Sequence, residues 1–367
     1  VTNLFEMNNA SHGGSLHAWS ECSVLAADTR WMSNTASMEG GAVSLLSNTP
    51  INLTGCYFHG NNATDGGGVF AKDKSAVSAK ETTWTSNMAT TGGGGVGTGP
   101  KIVVMLESCD LEANMGMYGG GLYAPDQCNV TCVSTSFAKN VALREGGGVA
   151  VYSSSMLEMM SCDFQTNKAT YGGGIYAEDS CMVTATTSSW ESNSADTEGG
   201  AMVANSSVTV SLMSCSFLGN TAPTGGGLSA LAMSTVECNG TTWVSNMADH
   251  EGGAILVYSS THLIITYSNI NANNATNGGG VHAVDHSSVT ASDSVWLKNR
   301  ADMKGGAVSV AANTPLNVTD CEFTHNNATR GGGMYAETSS NITSLRTVWT
   351  SNTAKHGGGI ATGALII

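Results

Sequence analysis

The sequence predicts an all-β fold, a single-stranded parallel β-helix of about fourteen coils, and three observations predict it. One motif recurs along the whole chain at spacings that alternate between 26 and 27 residues. Within each copy the apolar residues follow a period of two, the signature of strands, instead of 3.6. Glycine, 46 of 367 residues, falls mostly at one fixed point of each copy.

The motif reads aromatic or aliphatic, two residues, Asn, a short polar turn, Gly-Gly, aliphatic. Its first copy is FEMNNASHGGSL, from Phe5 to Leu16, and later copies include WMSNTASMEGGAV, FHGNNATDGGGV, FQTNKATYGGGI, WVSNMADHEGGAI and FTHNNATRGGGM. The motif asparagines are Asn8, Asn34, Asn61, Asn87, Asn114, Asn140, Asn167, Asn193, Asn220, Asn246, Asn273, Asn299, Asn326 and Asn352. They mark fourteen units, or seven double units of 53 residues. In odd units the aliphatic falls eight residues after Asn (Asn61 to Val69), in even units nine (Asn34 to Val43), so the extra residue lies between Asn and Gly. The last unit, Asn352 to Ile360, reverts to eight. Glu39, Glu145, Glu198 and Glu251 stand just before the glycines of even units, with Lys304 once in that place. Odd units carry Phe at the aromatic position and even units Trp, with Leu111, Ile270 and Phe137 as exceptions.

Each unit reads as three short strands and three turns: a post-glycine strand such as VFA, a second such as SAVSA at 75–79, and the one bearing Phe or Trp. A unit of this size cannot bury its apolar face alone, so units must stack, one per coil. At about 4.8 Å per coil, fourteen coils give a rod of roughly 65–70 Å, a single continuous β-helix over residues 1–367. The paired glycines read as a corner with φ > 0 or too tight for side chains. The fourteen asparagines read as an internal ladder, each buried amide bonded to that of the next coil.

Composition narrows the function. Charged residues are 11% of the chain, too few for a long solvated helix, and the net charge of −14 argues against nucleic acid as a partner. No run of 18 apolar residues marks a membrane span. The apolar share of 41% is too high for a disordered chain.

The GG[AG][ILV] and FxxN strings resemble the repeats of chlamydial polymorphic outer-membrane proteins over nearly the whole chain. Those repeats belong to passengers of autotransporter adhesins, and the resemblance implies a right-handed, pectin-lyase-like β-helix. Two departures stand out: no C-terminal barrel is present in the sequence, and the 26/27 lattice is more regular than that family usually shows. Similar repeats also occur in surface proteins of algae and protists.

Ten N-x-S/T sequons, at Asn9, Asn52, Asn62, Asn129, Asn205, Asn239, Asn274, Asn317, Asn327 and Asn341, point to N-glycans on a secreted eukaryotic glycoprotein. Several follow a ladder asparagine directly, which places them on an outer turn. The ten cysteines read as buried free thiols, because Cys56, Cys109, Cys162, Cys215 and Cys321 recur two coils apart, about 9.6 Å, too far for a disulfide. Cys22, Cys128 and Cys181 form a second row, and a Cys128–Cys132 bridge would need a turn between them. The residues His17, Phe70, Tyr123, Tyr176, His282 and Tyr335, with Ser229 in register, follow the post-glycine aliphatic of odd units. Alternation turns them outward, as a stripe for sugars or a neighbouring molecule. The turn glutamates with Asp196 and Asp249 read as a solvated acidic edge, with no calcium-loop pattern, zinc motif or other metal or cofactor signature. No nucleophile motif, phosphate loop or isolated carboxylate pair marks an enzyme, and Arg occurs only at 30, 144, 300, 330 and 346.

Residues 40–68 match 305–333, an offset of 265, so a larger block is duplicated. With coil motifs running to both ends, the chain reads as a segment of a longer array that self-associates, end to end or laterally. The expectation is an extracellular, non-enzymatic structural glycoprotein of a surface fibre, hair or coat. An adhesin is the alternative, and a polysaccharide-active enzyme ranks behind both.

Overall fold

The computed structural model describes residues 3–363 and the backbone of Leu365 and Ile366. The chain divides into two compact units, Val1–Val183 and Thr184–Ile367. Each is a β-solenoid in which strands pair in parallel with their equivalents one coil away. Among the described residues no helix is long and apolar enough to cross a membrane.

Each coil carries up to four strands, one more than the repeat predicts. In the first unit one coil reads Tyr57–His59, Asn62–Ala63, Val69–Ala71 and Ala76–Lys80. In the second, one reads Asn269–Asn271, Asn274–Asn277, Val281–Ala283 and Ser288–Ser292. We call the four sheets aromatic, alanine, aliphatic and long. The alanine sheet corrects the expectation of a polar turn between Asn and Gly. Backbone groups there pair with the adjacent coil as in any strand, and a single side chain per strand turns inward. That side chain is a buried alanine, Ala36, Ala63 and Ala89 in the first unit and Ala222, Ala248 and Ala275 in the second. An alanine among polar residues gives almost no period-two signal.

The 26/27 alternation is a β-bulge in this sheet. Ala10 faces Ala36, but the next pair is His12 with Glu39, so the even coil holds one extra residue. The same shift separates Gly116–Ala142 from Tyr118–Glu145 and, in the second unit, Ala222–Ala248 from Thr224–Glu251. Threonine hydroxyls of the following coil bond the carbonyls that the bulge frees: Thr64 to Ser37 (3.0 Å), Thr170 to Leu143 (2.9 Å), Thr276 to Asp249 (2.7 Å) and Thr329 to Asp302 (2.7 Å).

The glycine corner has two separate causes. Gly146 sits at φ +65°, where a side chain is strained. A Cβ on Gly147 would lie 2.2 Å from the carbonyl oxygen of Gly173 in the next coil. The third position adapts to the aromatic beyond it. A Cβ at Gly68 or Gly333 would meet the next coil's Trp84 or Trp349 at 2.7 Å. Ala42, Ala201 and Ala307 occupy that place where the next coil carries the smaller Phe58, Phe217 and Phe323. In these coils the third corner residue and the next ring are matched in size, although Gly121 and Gly148 stand before Phe137 and Phe164. The rings stack, with Trp31–Phe58 centroids 4.3 Å apart and Phe217–Trp243 centroids 3.9 Å apart.

Beside the rings run the asparagines. In the first unit the backbone N–H and the Nδ2 of Asn61 both donate to Asn87 Oδ1, at 3.0 and 2.9 Å. Asn61 Nδ2 also donates to the Trp31 carbonyl (3.0 Å), and Asn61 Oδ1 accepts both donors of Asn34 (2.9 Å each). Every capacity of the amide is used. The second unit repeats the arrangement, as where Asn246 donates to Asn273 Oδ1 (2.9 and 3.0 Å) and to the Phe217 carbonyl (3.0 Å). Asn8, at the start of the described chain, is exposed, and Asn352 is half-buried.

All ten cysteines are free thiols, nine of them buried and Cys22 exposed. Cys56 lies at the corner before the aromatic strand and donates to the Ala26 carbonyl (3.4 Å). Threonine or, at Ser188 and Ser294, serine holds this corner in even coils, where Thr135 donates to the carbonyls of Leu106 (3.3 Å) and Val133 (3.1 Å). Burial pushes the Cys109, Cys162 and Cys181 thiols up to about 11. Cys132 lies within the strand Asn129–Val133, which begins directly after Cys128. No turn separates them, and extended backbone holds them about 13 Å apart.

Replacing Asn114 with alanine removes the acceptor of Asn87 and the donor to the Trp84 carbonyl. The expected loss is about 2–4 kcal/mol in urea unfolding followed by circular dichroism, against under about 1 kcal/mol for Asn8→Ala.

Candidate functional site

The outer face of the aliphatic sheet carries a cluster of aromatic and titratable side chains. Three columns meet there: the residue before each glycine corner, the outward residue at the middle of the aliphatic strand, and the residue after that strand. The positive φ of the first corner glycine folds the end of the alanine strand back over the middle column. This corrects the expected outward stripe. Phe70, Tyr176 and His282 are only 6–7% exposed, and His17, Tyr123 and Tyr335 are half-buried. Ser229 is fully buried and donates to Glu198. The side chains do leave the main core, as alternation requires, but they enter a second, lateral seam.

In the first unit the seam holds a tyrosine cluster. Tyr152 lies 5.8 Å from Tyr123, 5.7 Å from Tyr176 and 6.3 Å from Tyr118 between ring centroids. Its hydroxyl donates to Glu145 Oε2 at 2.6 Å, and burial followed by this bond raises its pKa. Arg144 reaches over the Tyr118 ring at 5.7 Å and donates to the Tyr118 hydroxyl at 3.1 Å. Nearer the start of this unit, Lys72 bonds Glu39 at 2.6 Å and approaches the Phe70 ring at 6.0 Å. His12 lies 3.4 Å from the same carboxylate.

In the second unit Lys304 bonds Glu337 at 2.6 Å and lies 5.1 Å from the Tyr335 ring. His282 packs beside them, its Nε2 3.7 Å from Glu251 Oε1. Burial, the main cause, pulls its imidazole down to about 4, with Lys304 adding to the effect and the Ser309 backbone and Glu337 opposing it.

Glu39–Lys72 and Lys304–Glu337 occupy the same two lattice positions, offset by 265 residues, the length of the duplicated block. The contact survives and its polarity is reversed. A reversal at both partners marks the attraction itself as the retained feature.

The turn acids are therefore not simply a solvated edge: Glu39 and Glu145 are held in the seam, whereas Asp196 and Asp249 are exposed on the bulge. Among the described residues no group of three or more His, Cys, Asp or Glu side chains converges on a metal position.

The sequon asparagines occupy two faces and one corner. Asn52, Asn129, Asn239, Asn317 and Asn341 lie on the outer face of the long sheet, all exposed. Asn9, Asn62, Asn274 and Asn327 open strands or bridges of the alanine sheet, Asn9 and Asn327 exposed and the other two half-buried. Asn205, half-buried, ends an aliphatic strand. Thr64, Thr276 and Thr329, the third residues of three sequons, are also the hydroxyls that satisfy the bulge. A groove of about 470 Å³ on the long sheet of the first unit is lined by Asn52, Lys80, Met105 and Thr131.

The family model described as a right handed beta helix region matches residues 8–188 and 145–296. No curated protein and no solved structure matches the chain.

Two measurements probe the seam. Lys72→Glu alone is expected to destabilise the fold by about 1–2 kcal/mol, and Glu39→Lys with Lys72→Glu to recover most of it, giving a coupling of about 1 kcal/mol. His282 has a folded pKa below the usual 6.5, so the unfolded chain takes up its proton first as pH falls. Stability present above pH 6.5 is therefore lost between pH 6.5 and 4, by up to about 3 kcal/mol. His282→Gln is expected to flatten that part of the pH–stability profile.

Proposed function

The chain belongs to the right-handed β-helix family, and within that fold we propose that it is a non-enzymatic extracellular structural glycoprotein. Its coils form or contribute to a surface fibre, hair or coat. The single observation that carries this reading is uniformity. The asparagine ladder, glycine corner and bulge recur through each unit, and the titratable side chains of the seam bond one another instead of opening toward a bound molecule. A binding or catalytic groove on a solenoid usually comes from loops that interrupt the lattice, and the 26/27 spacing holds from the first asparagine to the last.

The exposed sequons support secretion through a glycosylating compartment, with N-glycans as the covalent partners. The resemblance of the GG[AG][ILV] and FxxN strings to chlamydial polymorphic outer-membrane repeats supports a place at a cell surface. It also supplies the second reading, an adhesin. The burial of the aromatic stripe weakens that reading, because stripe rings such as Tyr123 and Tyr176 are packed against Tyr152 in the seam.

Electron microscopy of the chain secreted from a eukaryotic host tests the proposal. Filaments or laterally ordered bundles that lengthen with concentration are the expected result. Particles that stay single at every concentration, while binding cells or glycans, would replace it with the adhesin reading.

A further inference from the structure

The long and alanine sheets expose large apolar side chains, and five of them stand beside a sequon asparagine. Leu25, 77% exposed, is the register partner of Asn52. Val103 and Met156, 44% and 47% exposed, flank Asn129 from the coils on either side. Met213, 51% exposed, faces Asn239, and Met247, 45% exposed, faces Asn274. Each of these asparagines opens an N-x-S/T sequon. Register partners in a parallel sheet stand about 4.8 Å apart with side chains on the same face.

We propose that the first sugar of the N-glycan at Asn52, Asn129, Asn239 and Asn274 lies on the apolar side chain of the adjacent coil, so that the glycan covers surface the sheet would otherwise expose. This rests on the glycoprotein reading above. In the attachment, Asn Nδ2 forms a bond to C1 of the sugar as the C1–phosphate bond of a lipid-pyrophosphate-linked donor breaks. The Nδ2 proton leaves to the transferase's base, and the pyrophosphate leaves with the lipid.

A pyranose ring is about as wide as one coil spacing. Held on Nδ2 beside its register partner, it meets the neighbouring coil's side chain with its C–H face while its hydroxyls stay in water. Methionine and leucine suit such a contact, being adaptable and without polar atoms that need a partner. The register also predicts where the contact is missing. Asn317 has Thr290 and Thr343 as partners, and Asn327 has Arg300 and Thr353. Glycans there stand free of apolar surface.

Methionine oxidation reads the contact directly. The chain is secreted from a eukaryotic host, and site occupancy is measured by peptide mass spectrometry. Hydrogen peroxide is then applied to the native glycoprotein, to the same protein trimmed to one GlcNAc, and to the fully deglycosylated protein. Met156, Met213 and Met247 are expected to oxidise about threefold or more slowly in the first two than in the third. Met160, equally exposed but at the far end of its strand, should not change. Asn239→Gln should release Met213 alone. A Thr241 substitution is unsuitable because that hydroxyl is buried and donates to the Leu212 carbonyl. Occupied sites with equal oxidation rates would overturn this inference and leave the glycoprotein reading intact, whereas unoccupied sites would overturn both.

Discussion

The structure depends on one constraint: each coil lies in parallel register on the one before, so every residue faces its own equivalent. A column in such a stack is chemically all one thing, and only side chains that tolerate their own kind as neighbours can fill it. Asparagine meets that demand inside the coil, because its amide carries two donors and two acceptor sites and the next amide supplies their complements. The ladder in turn holds the carbonyl of the aromatic residue one coil back, which ties the polar column to the stacked rings. Glycine meets a different form of the same demand at the corner, where backbone of successive coils comes too close for any Cβ.

The two-coil period relaxes that constraint without breaking it. Where Trp lies beyond Gly and Phe beyond Ala, as at Gly68–Trp84 and Ala42–Phe58, side-chain volume stays nearly constant while neighbours differ. Threonine and cysteine share the corner before the aromatic strand because hydroxyl and thiol both donate to nearby strand carbonyls. The bulge gives even coils an extra residue, and the Thr that answers it falls in odd coils. Each alternating feature is thus one half of a contact between neighbouring coils.

Outside the main core the same register builds the lateral seam, where charged and aromatic residues replace the uniform columns. The Glu39–Lys72 pair and its reversed counterpart Lys304–Glu337 show that sequence drifts here faster than geometry does. The sequons carry a related ambiguity. In Asn62-Ala63-Thr64 the alanine is core, the threonine answers the bulge, and the asparagine alone is free to serve another purpose.

The sequence by itself determined the coil, its length, its parallel stacking and the positions of the asparagines, glycines and aromatics, because the first two recur in all fourteen units and the aromatics in twelve, in a spacing that chance does not produce. It also located the extra residue of even units to the segment between Asn and Gly. The tertiary structure alone decided what that segment is. A strand whose one inward side chain is alanine has no hydrophobic pattern, and only pairing with its neighbour reveals it. It alone decided the fate of Phe70, Tyr123, Tyr176 and His282 as well. Alternation tells which face of a strand a residue occupies, not whether a neighbouring segment folds back over that face, and a glycine at φ +60° or so brings that segment over.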